Sequence, residues 1–169
     1  GDPYRGVKVS AGNYGGLKNI AERNVYFEHA NRNKKSVTID PSKQKGKEII
    51  YKLVEKSDVF IQNHRRGAAT MLGLDYDMLR RYNPKLVYVT ASGWGPKGPI
   101  VSRPSYAFTG EARSGMMTVA GEPGTPPQLM SGAIADHMGA VMAVNGVLNG
   151  LIMRERWGTG QEIESSMLG

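Results

Sequence analysis

The feature that most constrains the fold of this chain is the alternation of short β-type runs with helix-type segments. Runs rich in β-branched and aromatic residues lie at Lys35–Ile39, Asp58–Asn63 and Leu86–Thr90. Strand signals that alternate with helix signals favour an α/β layer structure, because parallel strands need a crossover connection between them. The sequence therefore predicts a partial doubly wound, Rossmann-like parallel sheet with flanking helices.

Helix signals fill the segments between these runs. Asp40-Pro41-Ser42 is typical of a helix start, since proline is favoured in the first turn of a helix. A final strand is predicted at 161–165, where the alternation of polar residues is typical of the margin of a sheet. The predicted helices cover residues 40–56, 71–81 (as short pieces), 106–117 and 133–157.

Composition excludes several kinds of chemistry. The 169 residues contain no cysteine, which rules out disulfides, zinc–thiolate sites, iron–sulfur clusters and a thiol nucleophile within them. The three histidines (His29, His64 and His137) lack the spacing of metal ligands, so no metal is expected. No apolar run reaches the roughly 20 residues that a membrane helix needs. We therefore expect a cytoplasmic protein with no membrane partner.

The chain is basic, with 22 Lys and Arg against 15 Asp and Glu and a formal net charge of +7. Such a charge suits nucleic acid, an anionic membrane surface or a phosphorylated small molecule, or it serves solubility alone. Interleaved aromatic residues and a recognition helix are lacking, which argues against nucleic acid. Arg65 and Arg66 directly follow a predicted strand, where ligands of parallel sheets bind, and Arg65 is the candidate for a phosphate contact.

Gly93–Gly98 formally matches the glycine pattern of dinucleotide-binding proteins and follows a predicted strand. That pattern works only where a helix begins directly after it, because the helix amides hold the pyrophosphate. Pro96 and Pro99 remove amides, and no amphipathic run follows. We therefore predict that this segment is a loop without dinucleotide-binding function.

Asp136 is the candidate catalytic residue. It lies in the opening turn of the predicted helix 133–157, and its neighbours at helical spacing are small, which lets a ligand or another backbone approach. The N-terminus of a helix stabilises a carboxylate by about 0.3–1 kcal/mol. Two interpretations stay open: Asp136 caps the helix, or its carboxylate attacks an acyl group.

Several stretches, in this order, resemble the class III coenzyme A transferases, also called the CaiB/BaiF family. The stretches are Asn31–Asp40, Ser57–Asn63, Asn83–Tyr88, Ser92–Pro99 and Arg154–Gln161. The resemblance implies that residues 1–169 form part of a large CoA-binding domain that is truncated at both ends, since the sequence opens in a loop and stops directly after a strand. A first strand should then precede Gly1, and a second domain with a glycine-rich catalytic loop should follow Gly169.

In this family an aspartate at the position of Asp136 is the nucleophile. The resemblance implies that its carboxylate attacks an acyl-CoA, giving an acyl–aspartyl anhydride and then an aspartyl-CoA thioester, from which CoA passes to a second carboxylic acid. Coenzyme A or acyl-CoA is then a substrate, with no metal. The expected partners are acyl-CoA and a carboxylic acid, and the full-length parent is expected to be a homodimer.

The resemblance also assigns CoA contacts. Where the family usually has proline this chain has Arg66, and where it has a CoA-contacting arginine the chain has Met71, so whether Arg66 compensates is left open. The related acyl-CoA racemases use a His/Asp pair, and Tyr106 stands near the expected histidine, which counts against that alternative. The predicted CoA-binding residues are Ile39, Asp40, Pro41, Ser42, Asn63, His64, Arg65 and Tyr106.

Overall fold

The computed structural model describes residues 25–130 and 133–168. The chain divides into two compact units, Gly1–Thr38 and Ile39–Gly169. In the first unit the described residues contain helix α1 (Val25–Asn31). The loop predicted at the start of the sequence lies outside the described residues.

The second unit alternates helices with strands, as the sequence predicted. Its described strands are β1 (Val59–Gln62), β2 (Val87–Ser92) and β3 (Gln161–Ser166). Its described helices are α2 (Gln44–Val54), α3 (Ala68–Leu72), α4 (Tyr76–Leu79), α5 (Ala107–Ser114), α6 (Met116–Val119) and α7 (Ile134–Trp157).

The described strands form one parallel sheet in the order β1-β2-β3. The register pairs Val59 with Val87 and Val87 with Gln161. The polar strand β3 lies at one edge of this sheet, as its alternation predicted. All three strands therefore end at the same side of the molecule, where their connecting loops meet.

Side chains alternate between the two faces of the sheet, and each face packs against different helices. Phe60 and Tyr88 lie on one face and pack in a cluster with residues of α2 and α4. Val87, Val89 and Ile163 lie on the other face and pack against α7. Helices on both faces of a parallel sheet confirm the predicted partial doubly wound α/β fold.

Helix α7 approaches the sheet closely because two of its glycines face the strands. A Cβ atom at Gly150 would lie 2.9 Å from side-chain carbons of both Val87 and Ile163. A Cβ atom at Gly146 would lie 2.6 Å from Cγ2 of Ile163. These separations are shorter than any normal carbon–carbon contact, so larger residues at either position would push the helix away from the sheet.

The predicted strand at Lys35–Ile39 is wrong, since these residues form no strand. Val37, the apolar residue at the centre of the run, is 67% exposed. The preference of β-branched residues for strands depends on a pleated, half-buried surface against which they pack, and Val37 finds no such surface among the described residues.

Two predicted helix boundaries also shift. The backbone N–H and the hydroxyl of Ser42 donate to the Asp40 carboxylate at 2.9 and 2.7 Å, so the predicted helix start is a turn and α2 begins later, at Gln44. Asp and Ser side chains compete for backbone groups in this way and favour turns. The short helical pieces predicted over 71–81 begin earlier, with α3 at Ala68.

We expect that Gly160→Ala destabilises the fold, because the start of β3 passes very close to the backbone of Leu86. An added Cβ atom would lie 2.6 Å from the Leu86 carbonyl carbon and 2.7 Å from its nitrogen. Overpacking of this kind costs about 1–3 kcal/mol in the free energy of unfolding, which urea titration measures. The neighbouring exposed variant Thr159→Ala should change that free energy by less than about 0.5 kcal/mol. Equal stability of the two variants would contradict the close approach.

Candidate active site

A cleft of about 790 Å³ opens at the carboxyl ends of the three strands. Its walls come from the loops after β1 and β2, the end of β3 and the first turn of α7. Ligands of open parallel sheets bind in this position. The volume lies within the range of about 300–1,000 Å³ that is typical of small-molecule sites.

The side chain of Gln62 fixes the loop after β1. Its Nε2 donates to the Thr90 hydroxyl at 2.9 Å, and its Oε1 accepts the backbone N–H of His64 at 2.7 Å. The loop therefore leaves the sheet in a defined direction, with Asn63, His64 and Arg65 along the cleft. Arg65 is exposed, so its guanidinium is open to an anion in the cleft.

Ser92 ties the loop after β2 to the end of β3. Its hydroxyl accepts the Gly95 N–H at 3.1 Å and donates to the Ser165 carbonyl at 3.3 Å, while its own carbonyl accepts the Met167 N–H at 3.1 Å. Residues 93–105 then run as turns and bends without a helix. This confirms that Gly93–Gly98 lacks the helix start on which dinucleotide binding depends.

Two further arginines line the cleft. Arg66 Nη1 donates to the Pro96 carbonyl, so this side chain joins the loops after β1 and β2. Arg103 lies in the second loop and was not singled out by sequence reasoning, although it is a cation in a stretch rich in glycine and proline. Met71 is 82% exposed and does not line the cleft, so it faces a different environment from Arg66.

Tyr106 stands at the N-cap of α5 and lines the same cleft. Its backbone N–H donates to the Thr109 hydroxyl at 2.9 Å, which fixes the start of the helix. The ring is 63% exposed and stacks on Phe108, with ring centroids 5.8 Å apart. An exposed, stacked aromatic ring at a cleft offers an apolar surface to a ligand.

Asp136 lies in the first turn of α7 and lines the cleft. The N-cap of that helix is Ala133, and no side chain caps it by a hydrogen bond. Asp136 is therefore not the N-cap, which removes the first of the two interpretations of this residue. The side chain is accessible from the cleft, as a nucleophile must be.

Partial burial raises the pKa of the Asp136 carboxyl above its usual value, and the negative charge of Glu111 raises it further. His137 acts in the opposite direction and lowers it. The loss of hydration is the largest of these effects, so the net shift favours the protonated form despite the helix N-terminus. A carboxylate with a raised pKa is more basic, so once it is ionised it attacks a carbonyl carbon more readily.

One part of the cleft wall is acidic. Glu162 and Glu164 of β3 and Asp75 contribute to it. The pKa of Glu162 is raised first by burial and then by the charges of Glu164, Asp77 and Asp75, while Arg80 lowers it. The cleft thus has arginines on the loops after β1 and β2 and carboxylates along β3, a separation of charge that orients a polar ligand.

The structure brings five of the nine predicted site residues into one cleft: Asn63, His64, Arg65, Tyr106 and Asp136. The other four, residues 39–42, do not line it; they form the turn before α2. There the pKa of Asp40 is lowered by the hydrogen bonds from the Ser42 hydroxyl and amide. Their assignment to CoA stays a prediction.

Sequence reasoning missed Gln62 and Ser92, whose side chains hold the cleft loops in place. Both are polar residues at the last position of a strand, next to a predicted loop. A polar side chain at the carboxyl end of a buried parallel strand is the signal that identifies them, because that end is where the strand leaves the core.

The described residues, 25–130 and 133–168, contain neither a cluster of metal ligands nor a helix that could span a membrane. No group of three or more His, Cys, Asp or Glu side chains in these residues is arranged to hold a metal ion. No helix among them is long and apolar enough to cross a membrane.

Comparison with known proteins shows the family to which this chain belongs. Residues 1–169 match CoA-transferase family III, and the chain belongs to this family. It is similar to a solved CaiB/BaiF family protein from Brucella suis, with 35% sequence identity, a TM-score of 0.83, and coverage of 89% of this chain and 40% of that one. This confirms the resemblance found in the sequence.

Among curated relatives, the chain is 34% identical to an acetyl-CoA:oxalate CoA-transferase of Acetobacter aceti over 149 residues, which are 88% of this chain and 38% of the relative. It is 39% identical to the succinyl-CoA–L-malate CoA-transferase alpha subunit of Chloroflexus aurantiacus over 134 residues, which are 79% of this chain and 31% of the relative. The chain thus spans 38% and 31% of the length of these two proteins.

The raised pKa of Asp136 predicts a pH-dependent effect of Asp136→Asn on stability. A carboxyl whose pKa is higher in the folded state stabilises the fold below its ordinary pKa, near 3.8, and loses that contribution as the pH rises through the raised value. The variant should therefore unfold at a higher temperature than the wild type at pH 7, and this difference should shrink on acidification. Thermal unfolding between pH 3 and pH 7 measures it, and a variant that is less stable at pH 7 would contradict the raised pKa.

Proposed function

We propose that this chain carries the nucleophile and part of the CoA site of an enzyme that moves CoA from an acyl-CoA to a carboxylic acid. The observation that carries the proposal is the presence of Asp136 and the exposed Arg65 in one cleft at the carboxyl ends of the strands. An acyl-CoA substrate requires a carboxylate that attacks its thioester and a cation that binds its phosphates in the same cleft. Membership of CoA-transferase family III supports this chemistry.

In the proposed cycle, the Asp136 carboxylate attacks the thioester carbon of the donor acyl-CoA. The C–S bond breaks, giving an acyl–aspartyl anhydride and CoA thiolate. The thiolate then attacks the aspartyl carbonyl, which releases the donor acid as its carboxylate and leaves an aspartyl-CoA thioester. The acceptor carboxylate attacks the carbonyl of that thioester, which breaks the C–S bond, frees the thiolate again and gives a second anhydride between Asp136 and the acceptor. Attack of the thiolate on the acceptor acyl carbon gives the new acyl-CoA and restores Asp136.

The basic loops fit the phosphates of CoA. A guanidinium binds a phosphate through charge-assisted hydrogen bonds that are about twice as strong as neutral ones. Arg65 and Arg103 are both exposed and line the cleft from different loops. Arg66 donates to the Pro96 carbonyl, and we assign it the role of holding these loops together rather than of replacing the missing family arginine.

The racemase alternative is weaker, because two-base proton transfer needs a second base beside the aspartate. The residue near the position of the racemase histidine is Tyr106, and its phenol does not supply the imidazole of that pair. The histidine of the cleft, His64, lies on the loop after β1 rather than at the start of α5. CoA transfer through a covalent aspartyl intermediate needs no second base beside the aspartate.

Further proposals concern the whole protein. We propose that it acts in the cytoplasm on small molecules, with neither nucleic acid nor a membrane as partner and with no metal, and that it functions as a homodimer. We also propose that residues 1–169 belong to its large, CoA-binding domain.

Asp136→Asn should abolish CoA transfer in the intact protein, with at least a thousandfold loss of kcat, because an amide is not a nucleophile toward a thioester. CoA binding, measured by calorimetry, should change little. The matched control is Asp77→Asn, which changes an exposed aspartate in the first turn of α4 and should leave kcat unchanged. Substantial turnover by the Asp136 variant would refute its role as nucleophile.

Mass spectrometry should detect the covalent intermediate directly. Hydroxylamine cleaves anhydrides and thioesters, so treatment of the protein with acyl-CoA and hydroxylamine should leave a hydroxamate on Asp136. The same treatment without acyl-CoA should leave the residue unmodified. Modification of another carboxyl, such as Glu164, would move the reaction to the acidic wall of the cleft.

Arg65→Ala should weaken acyl-CoA binding about tenfold, which corresponds to the loss of one charge-assisted phosphate contact of about 1.4 kcal/mol. The effect should appear in KM rather than in kcat, and added salt should reduce the difference from the wild type. Arg81→Ala removes the same charge from an exposed position outside this cleft and should change KM less than twofold. Equal effects of the two variants would show that net charge alone governs binding.

A further inference from the structure

The most unusual polar group outside the proposed reaction is the side chain of Glu111. It lies on α5 and is 1% exposed. Among the fully buried side chains of the described core, it is the one that carries a carboxyl group. Its Oε2 accepts the backbone N–H of Met130 at 3.2 Å. Burial of a carboxylate is unfavourable, and a hydrogen bond from a neutral amide offsets only part of that cost. The position therefore calls for an explanation other than stability.

The partner of Glu111 leads into the helix that carries Asp136. Met130 lies three residues before Ala133, the N-cap of α7. Ala133 adopts the left-handed conformation with φ 48°, which is uncommon and strained for a residue with a Cβ atom. A strained residue holds its conformation only where the surrounding structure fixes it. The hydrogen bond to Glu111 fixes the chain shortly before this turn.

Helices α5 and α7 also touch beside these two acids. A Cβ atom at Gly110 would lie 3.3 Å from the Cβ atom of Ala135. Each of these small residues directly precedes one of the carboxyls, Glu111 on α5 and Asp136 on α7. The two acids are thus close enough for the charge of Glu111 to act on Asp136.

We propose that Glu111 is a positioning residue for Asp136: its buried carboxylate holds the backbone of Met130, three residues before the N-cap of α7, and packs beside Asp136, and so sets the place and the reactivity of the carboxyl in the cleft. This inference rests on the proposed function in that Asp136 is taken as the reacting group. Glu111 itself does not line the cleft, so it acts through Asp136 and touches no substrate.

The charge of Glu111 shifts the pKa of Asp136 in a defined direction. His137 on α7 lowers the pKa of Asp136, and Glu111 from α5 raises it. Removing the charge of Glu111 should therefore lower that pKa and let Asp136 ionise at lower pH. The other charged side chains that line the cleft, which these variants leave unchanged, are Arg65, Arg66, Arg103, Asp75, Glu162 and Glu164.

Two substitutions in the intact protein separate the anchor from the charge. Glu111→Gln keeps an oxygen that accepts the Met130 N–H but removes the negative charge. We expect kcat within about threefold of the wild type, an acid limb of the pH profile of kcat moved to lower pH, and no loss of thermal stability at pH 7. Glu111→Met keeps the volume but removes the acceptor, so kcat should fall at least tenfold while KM for acyl-CoA changes little.

An assay independent of turnover accompanies these measurements. Hydrogen exchange at the Met130 amide should be faster in Glu111→Met and unchanged in Glu111→Gln. The control Glu122→Gln changes an exposed glutamate and should alter neither exchange nor kinetics. Wild-type kcat in Glu111→Met would overturn the proposal. If that variant does not fold, Glu111→Gln decides, and an unmoved acid limb would overturn it.

A different result is expected if the proposed function itself is wrong. In that case the wild-type protein forms no hydroxamate on Asp136 with acyl-CoA and hydroxylamine. Faster exchange at the Met130 amide in Glu111→Met would then still show that Glu111 holds this backbone group. Because Asp136 would not be the reacting group, the positioning role would be rejected. Hydroxamate formation in the wild type that survives unchanged in Glu111→Met would reject the positioning role alone.

Discussion

The close packing of α7 against β2 and β3 is the contact on which the candidate site depends. Gly146 and Gly150 let the helix approach to a distance that no larger side chain permits, because Val87 and Ile163 occupy the space where a Cβ atom would lie. Nearer the start of the same helix, the Ser165 hydroxyl donates to the Gly139 carbonyl at 2.9 Å. These contacts set α7 along the strands so that its first turn reaches their carboxyl ends. The packing of α7 thus brings Asp136 to the cleft, and the proposed anchor at Glu111 acts on a helix that is already held against the sheet.

The loops that complete the cleft are held by the ends of the strands themselves. Gln62 and Ser92 are the last residues of neighbouring strands, and each uses its side chain to fix the backbone that follows it. A parallel sheet concentrates such side chains because all its strands end together. The same geometry explains why the arginines of two loops that are distant in sequence, Arg65 and Arg103, line one cleft.

Much of this arrangement is predictable from local sequence patterns, and the remainder depends on long-range packing. The β-branched runs identified β1 and β2, and the glycine-bounded apolar segment identified α7, because burial in these elements is dictated by side chains within the element. The run at Lys35–Ile39 is also rich in β-branched residues, but its central Val37 is exposed among the described residues, and the neighbouring sequence does not show this difference. The pattern at Asp40–Ser42 was wrong as a helix start for a related reason, since both side chains are engaged with each other.

The candidate site shows the same division. The position of Asp136 in a first helical turn follows from the sequence, but the sign of its pKa shift does not. A helix N-terminus favours the carboxylate by up to about 1 kcal/mol, whereas the cleft walls and Glu111 favour the acid, and these come from elements that only the fold brings near. Glu111 itself is 25 residues before Asp136 and carries no motif. Its burial appears only when α5 packs on α7, and that packing converts an ordinary glutamate into a charge that acts on the proposed nucleophile.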